Sequence, residues 1–180
     1  MQIVADEKKS TSGINSVEVF LAHALTLEDE AAGGYQEIGD SMAVHNNPEV
    51  AGLFFQMAKY GRMHAAEVRE LAAGLDLPHI PPWEFVWRDG ESPEAPSMDK
   101  MHYMRRPAQA LMLALRAERA AHGFYSSVAE TTTHPRVREL AAQFAEEEAE
   151  HVRLLKDWIT KYPDPDPNWD FDPDPPAMPE

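Results

Sequence analysis

Apolar residues recur at alternating spacings of three and four along four stretches of the chain. This is the period of an α-helix that turns one face to a core. The predicted helices run from after Asn15 to about Val44, from Pro48 to about Gly74, from about Pro107 to Glu130, and from Pro135 to Pro163. We therefore predict an all-α fold, a four-helix bundle in which these faces meet.

Local signals define how the predicted helices begin and pair. Asn15 can cap the first helix, with Glu18 placed for a capping box. Asn47 and His134 each precede a Pro, which is favoured at the first position of a helix. Only a few residues separate the first helix from the second, and the third from the fourth. Each pair should therefore form an antiparallel hairpin.

A long crossover, about residues 75–105, joins the two predicted hairpins. It is rich in Pro, and its aromatic residues should hold it against the side of the bundle. The aromatic residues are Trp83, Phe85 and Trp87. The expected organisation is a flexible N-terminus (1–14), the bundle (15–162) and an extended tail rich in Pro and Asp (163–180).

Several polar residues occupy positions on the inner faces of the predicted helices. They are Glu28, His64, Glu118, His122, Glu148 and His151. An unpaired buried carboxylate is costly, and no Lys or Arg lies on an inner face near them. A bound metal ion resolves this, because carboxylate oxygen and imidazole nitrogen are natural metal ligands. The other histidines, including His23, are expected on the surface or in loops.

The pattern of candidate ligands occurs twice in the chain. In each half a Glu precedes a Tyr by seven residues and a Pro precedes a His by sixteen. The members are Glu28, Tyr35, Pro48 and His64 in the first half, and Glu118, Tyr125, Pro135 and His151 in the second. The second half also has Glu148 three residues before its His, which places both side chains on one helix face. Gly61 occupies the corresponding position in the first half.

This order of Glu, Tyr and Glu-x-x-His over four helices resembles the rubrerythrin-like branch of the ferritin-like superfamily, over about residues 16–160. The resemblance implies a ferritin-like bundle of two hairpins that binds two iron ions, or manganese or mixed metals. Such proteins react with dioxygen or peroxide, oxidise or store iron, or hydroxylate substrates. The implied roles are terminal ligands for Glu28 and Glu118, a bridging ligand for Glu148, and one metal each for His64 and His151.

Gly61 departs from the family pattern, which has a second bridging Glu there. His122 is a further candidate ligand that could fill the space. Alternatively, water, hydroxide or substrate bridges the metals, or one metal binds weakly or not at all. We favour a two-metal site with an open edge at Gly61; the competing interpretation of Gly61 is close packing against Tyr35 or Tyr125. Both tyrosines are expected to hydrogen-bond to ligand carboxylates.

Composition narrows the chemistry. The chain has 180 residues, 43% of them hydrophobic, which suits one domain with a sizeable core. It has no Cys, so it cannot build the rubredoxin-type iron centre of rubrerythrins proper, and electrons should come from an external donor. The formal net charge of -15 argues against nucleic acid or membrane partners.

Three functions agree with these patterns. The first is a di-iron oxidoreductase of peroxidase or oxidase type that uses dioxygen or peroxide. The second is a ferritin-like protein that binds or stores iron without turnover, and the third is a structural bundle with a degenerate metal site. The sequence has no apolar run of signal-peptide or membrane-span length, so a cytoplasmic homo-oligomer, dimeric or larger, is expected.

Overall fold

Four long helices make up most of the described protein. The computed structural model describes residues 13–87 and 106–163, without the side chain of Trp83. The helices are α1 (Val17–Val44), α2 (Pro48–Leu71), α3 (Pro107–Thr131) and α4 (Pro135–Lys161), with a short 3-10 helix at Pro82–Glu84. The described ranges contain no strand, and the predicted all-α bundle is confirmed. Expectations for residues 1–12, 88–105 and 164–180 lie outside the described residues.

Ser16, rather than Asn15, caps α1. Its hydroxyl oxygen accepts a hydrogen bond from the Val19 N–H at 3.3 Å, and its hydroxyl donates to the Glu18 carboxylate at 2.7 Å. The predicted Asn15 cap is therefore wrong. The Asn15 side-chain oxygen accepts instead from the backbone N–H of Thr133 at 2.7 Å, which ties the start of α1 to the α3–α4 connection.

The helices pair as the sequence predicts, with α1 along α2 and α3 along α4. Two buried apolar clusters lie toward opposite ends of the bundle. One contains Tyr35, Phe54 and Leu111, and the other contains Phe20 and Phe144. On every helix, the candidate ligands fall between the residues of the two clusters. The polar layer is therefore enclosed by apolar packing on both sides. None of the described helices is long and apolar enough to cross a membrane.

The start of the crossover packs on α1 and α3 through aromatic contacts. The His23 ring on α1 lies 4.9 Å from Phe85 and 5.2 Å from Trp87, between ring centroids. Trp87 also contacts Phe124 of α3 at 5.1 Å. The predicted aromatic clamp is confirmed for Phe85 and Trp87.

His23 corrects an expectation, since it is only 1% exposed rather than on the surface. Both ring nitrogens are satisfied: Nδ1 bonds to the Val19 carbonyl at 2.8 Å, and Nε2 accepts from the Val86 N–H at 3.2 Å. Burial lowers the pKa of His23, which favours the neutral ring. The sequence did not reveal this because half of the support comes from the crossover.

Candidate metal centre

Four of the candidate ligands line a small cavity in the polar middle layer. The cavity volume is about 10 Å³, roughly the room of one water molecule or ion. Its walls are formed by Glu28, Ala31, Tyr35, Met57, Gly61, Glu118, Glu148 and His151. The three carboxylates are buried, whereas the side chains of His64 and His151 are 22% and 18% exposed. The site therefore reaches toward solvent on its histidine side.

The second half of the repeat forms a compact group. His151 Nδ1 lies 3.2 Å from Glu118 Oε2 and 3.3 Å from Glu148 Oε2. Two ligand atoms that each bind an ion at about 2.1 Å are separated by roughly 3 to 4 Å. Glu118, Glu148 and His151 therefore form a group that can hold a metal ion.

The first half is sparser. His64 Nδ1 lies 3.5 Å from Glu28 Oε2, and this contact lacks the geometry of a hydrogen bond. Gly61 supplies no side-chain donor where the second half has Glu148. From this half, Glu28 therefore lines the cavity, and His64 lies beside Glu28.

Two buried tyrosines connect the halves. The Tyr35 hydroxyl on α1 donates a short hydrogen bond to Glu118 on α3. The Tyr125 hydroxyl on α3 contacts Glu28 on α1 at 3.5 Å. Each tyrosine thus reaches the carboxylate of the opposite hairpin, and the contact with Glu118 is the closer of the two.

Stacked rings span the gap between α2 and α4. The His64 and His151 rings are 5.5 Å apart and 11° from parallel. Tyr60 continues the stack at 6.2 Å from His151. Tyr60 was not predicted from the sequence; the available signal was its position four residues, about one helical turn, before His64.

Gly61 packs against Ala32 of α1. A Cβ atom at position 61 would lie 3.1 Å from the Ala32 backbone nitrogen and 3.2 Å from its Cα. The close-packing partner is therefore Ala32, not Tyr35 or Tyr125. Gly61 also lines the cavity. It therefore combines two features considered from the sequence, close packing against a neighbouring helix and a place beside the candidate ligands.

Two candidate ligands lie outside the cavity wall: His64, which still contacts Glu28, and His122. His122 is half-buried on α3, whereas Ala121 and Tyr125 face the interior fully. A residue three or four positions after Glu118 can lie on the same helix face as Glu118. In the structure, the residue three positions on, Ala121, faces the interior. Of the predicted site residues, His122 alone is separate from this cluster among the residues that the structure describes.

Comparisons with known proteins agree with this fold. The family model for the ferritin-like domain matches residues 107–180, which include Glu118, Glu148 and His151. The crystal structure of an uncharacterized conserved protein from Magnetospirillum magnetotacticum MS-1 is similar, at 38% sequence identity and a TM-score of 0.73. The likeness covers 84% of this chain and 98% of that one. This chain belongs to the ferritin-like superfamily. No curated protein matches it.

In the second half of this ferritin-like site, two carboxyl groups have opposite pKa shifts. Burial raises the pKa of Glu148 well above its usual range, and the hydrogen bond to Glu118 and the negative charge of Glu118 raise it further. Burial alone would raise the pKa of Glu118 too, but hydrogen bonds with Glu148, His151 and Tyr35 outweigh it and lower this pKa. Without a cation, Glu148 therefore has the higher pKa of the two carboxyl groups.

In the first half, the pKa values of Glu28 and His64 are both raised. Burial raises the pKa of Glu28, although the nearby His64 opposes the shift. The Glu28 carboxylate in turn raises the pKa of His64, against the effect of burial. The site can therefore store protons in place of a cation, and a bound metal would displace them.

Proposed function

We propose that this chain is a non-haem carboxylate protein with two metal ions, iron in the first instance, that performs redox chemistry with dioxygen or peroxide. One observation carries the proposal: three buried carboxylates and two imidazoles converge from four helices, and the described residues that line the cavity include no Lys or Arg. Such a set of like charges needs cations to be stable when ionised.

The donor set fits the proposed metals. Glu148 Oε2 and His64 Nδ1 are buried and have no hydrogen-bond partner within the described ranges. Oxygen and imidazole nitrogen ligands suit iron and manganese alike. Glu118, Glu148 and His151 would hold one ion. Glu28 and His64 would hold the other, with Glu148 between the two.

A bound pair of redox-active ions would supply electron exchange with dioxygen or peroxide. The residues of this chain position and protect that site. Tyr35 orients Glu118 through its hydroxyl, and the two apolar clusters restrict water on either side of the polar layer. Because the chain has no Cys, it cannot supply a thiolate-bound iron centre, and electrons come from an external donor.

The finer family assignment is also a proposal. The repeated Glu–Tyr spacing and the Glu148–His151 pair support the rubrerythrin-like branch of the superfamily. Gly61 and the missing thiolate centre would make this chain a divergent member of it.

Elemental analysis combined with peroxide and dioxygen consumption tests the function. Native protein should contain iron or manganese and should consume the oxidant only when an electron donor is added. Glu148→Gln should lose both properties, whereas Glu150→Gln, an exposed position on the same helix, should keep them. Large particles with many irons per chain and no turnover would indicate storage instead. Protein without metal after expression in iron- and manganese-rich medium would indicate a structural bundle.

A further inference from the structure

The imidazole of His151 needs support from neighbouring groups to be ready for a metal ion. Its Nδ1 atom lies 3.2 Å from Glu118 Oε2 and 3.3 Å from Glu148 Oε2. The torsion that orients a histidine ring has broad preferences, so the side chain alone does not fix the ring plane. A nitrogen that binds an ion carries no proton, so a hydrogen bond from Nδ1 to these carboxylates is lost when the ion binds. Other contacts therefore have to hold the ring plane.

Two rings on α2 make such contacts with His151. The Tyr60 ring lies 6.2 Å from the His151 ring, between centroids, and 11° from parallel. The His64 ring lies 5.5 Å away and is also 11° from parallel. A rotation of the imidazole about its bond to Cβ would break the parallel arrangement with both rings. The first hairpin therefore holds the ring plane of a ligand on the second.

Of these two rings, Tyr60 contacts His151 from outside the cavity. It is half-buried, and it is not among the described residues that line the cavity wall. Its hydroxyl oxygen accepts a hydrogen bond from Gln56 Nε2 at 2.5 Å, one turn earlier on α2. His64, by contrast, is itself a candidate ligand for the second ion. Tyr60 is thus the ring that can support His151 without binding metal.

We propose that Tyr60 is a positioning residue, whose stacked ring holds the imidazole plane of His151 in the orientation that binds the first metal ion. The inference rests on the proposed function, since it takes Glu118, Glu148 and His151 as the group that holds that ion. The role requires an aromatic face and not a hydroxyl group. Tyr35 already holds Glu118 by a hydrogen bond, so two tyrosines of the first hairpin support ligands of the second.

Calorimetric titration of the metal-free full chain with Mn²⁺ tests this role. Tyr60→Leu should bind the first ion about three- to tenfold more weakly than the wild type, because one stacked ring is lost. Tyr60→Phe keeps the ring and should bind the ion within about twofold of the wild type. Tyr162→Leu is the matched control and should leave the affinity unchanged. Tyr162 is also half-buried and stacked, 3° from parallel with Trp158, but it lies eleven residues beyond His151.

A His151→Ala background separates positioning from a general effect on the fold. There, Tyr60→Leu should change the first-ion affinity by less than about twofold, because no imidazole remains to be positioned. An equal loss with and without His151 would overturn the inference, since Tyr60 would then act on the whole bundle. So would an unchanged affinity in Tyr60→Leu, or an equal loss in Tyr60→Phe. Tyr60→Gln repeats the test if Tyr60→Leu does not fold. A wild-type chain that binds no Mn²⁺ would refute the proposed function, and the positioning role with it.

Discussion

The two halves of the site share one helical framework but differ in what they offer a cation. In the second half, His151 lies 3.2 Å and 3.3 Å from two buried carboxylates, and a tyrosine holds one of them by a short hydrogen bond. In the first half, one histidine lies 3.5 Å from one carboxylate, and its tyrosine contact is also 3.5 Å. The repeat thus sets where the candidate ligands lie, but the two halves offer a cation different sets of donor atoms.

Packing explains the difference. The first half has the small pair Ala32 and Gly61, which lets α1 and α2 approach closely. The equivalent positions of the second half, by the spacing of the repeat, hold His122 and Glu148. The first hairpin has close helix contact at the position where the second has a carboxylate. It should therefore contribute more to packing and less to metal binding than the second.

The largest expected effect comes from removing Glu148. Glu148→Gln should weaken binding of both ions by at least about 100-fold, because the charge that both share is lost. Isothermal titration with Mn²⁺ measures this, with exposed Glu150→Gln as the control. A variant that binds both ions like the wild type would remove Glu148 from the site.

A direct comparison of the halves uses the two equivalent glutamates. Glu118→Ala should lose the tighter ion, whereas Glu28→Ala should keep it and lose only the weaker one. The first-ion affinity of the two variants should differ by about 10- to 100-fold. Metal content after dialysis against a weak chelator distinguishes them. Equal losses would mean that the halves bind metal symmetrically.

The metal-free protein should lose stability as pH rises. The pKa of Glu148 is raised in the fold, so the folded form holds its proton to higher pH than the unfolded form. Its contribution to stability is therefore present below the ordinary carboxyl pKa of about 4.3 and is lost as pH rises through the folded value. Glu148→Gln should remove the part of this dependence that comes from Glu148, leaving the parts from Glu28 and His64, and should stabilise the neutral-pH form by about 1–3 kcal/mol. Denaturant unfolding across pH tests it, and an unchanged pH profile in the variant would contradict it.

The contact of Tyr35 with Glu118 should contribute more to stability than the contact of Tyr125 with Glu28. Tyr35→Phe should cost about 1.5–3 kcal/mol of unfolding free energy, because it removes a short hydrogen bond to a carboxylate. Tyr125→Phe should cost less than about 1 kcal/mol, since its contact with Glu28 at 3.5 Å is at the limit of a hydrogen bond. Urea unfolding of the metal-free variants gives both values, and a larger loss for Tyr125→Phe would reverse the ranking.

The smallest effects concern glycines of α2. Gly61→Ala should destabilise the metal-free protein by about 1 kcal/mol or more, because the methyl group presses on Ala32. Gly52→Ala should stabilise it by up to about 1 kcal/mol, since this glycine is exposed, with open space around the added Cβ. Thermal unfolding compares the two, and a stabilising Gly61→Ala would refute the tight α1–α2 contact.

Much of the fold and half of the site follow from local sequence signals. Helical spacing and the two X-Pro starts predict all four helices to within a few residues of their observed ends. The group of Glu118, Glu148 and His151 follows from one i, i+3 pair and one position in the repeat. These signals work because each depends on a single helix or on the internal comparison of two hairpins.

The features that the sequence did not reveal are of two kinds. Some depend on contacts between segments far apart in the chain, and others depend on which of two adjacent residues faces the core. The packing of Gly61 on Ala32 is a contact between two helices, and the local sequence of either helix does not indicate it. The burial of His23 depends on a crossover residue more than sixty positions away. Whether His122 or Ala121 faces the core, one residue apart, is set by the rotation of α3, which helical spacing alone cannot fix.

Anomalous diffraction from crystals grown with Mn²⁺ tests the central claim most directly. We predict a strong peak among Glu118 Oε2, Glu148 Oε2 and His151 Nδ1, and a weaker second peak beside Glu28 and His64. A map with no peak inside the bundle, or with peaks only at surface carboxylates, would contradict the assignment of this polar layer as a metal centre.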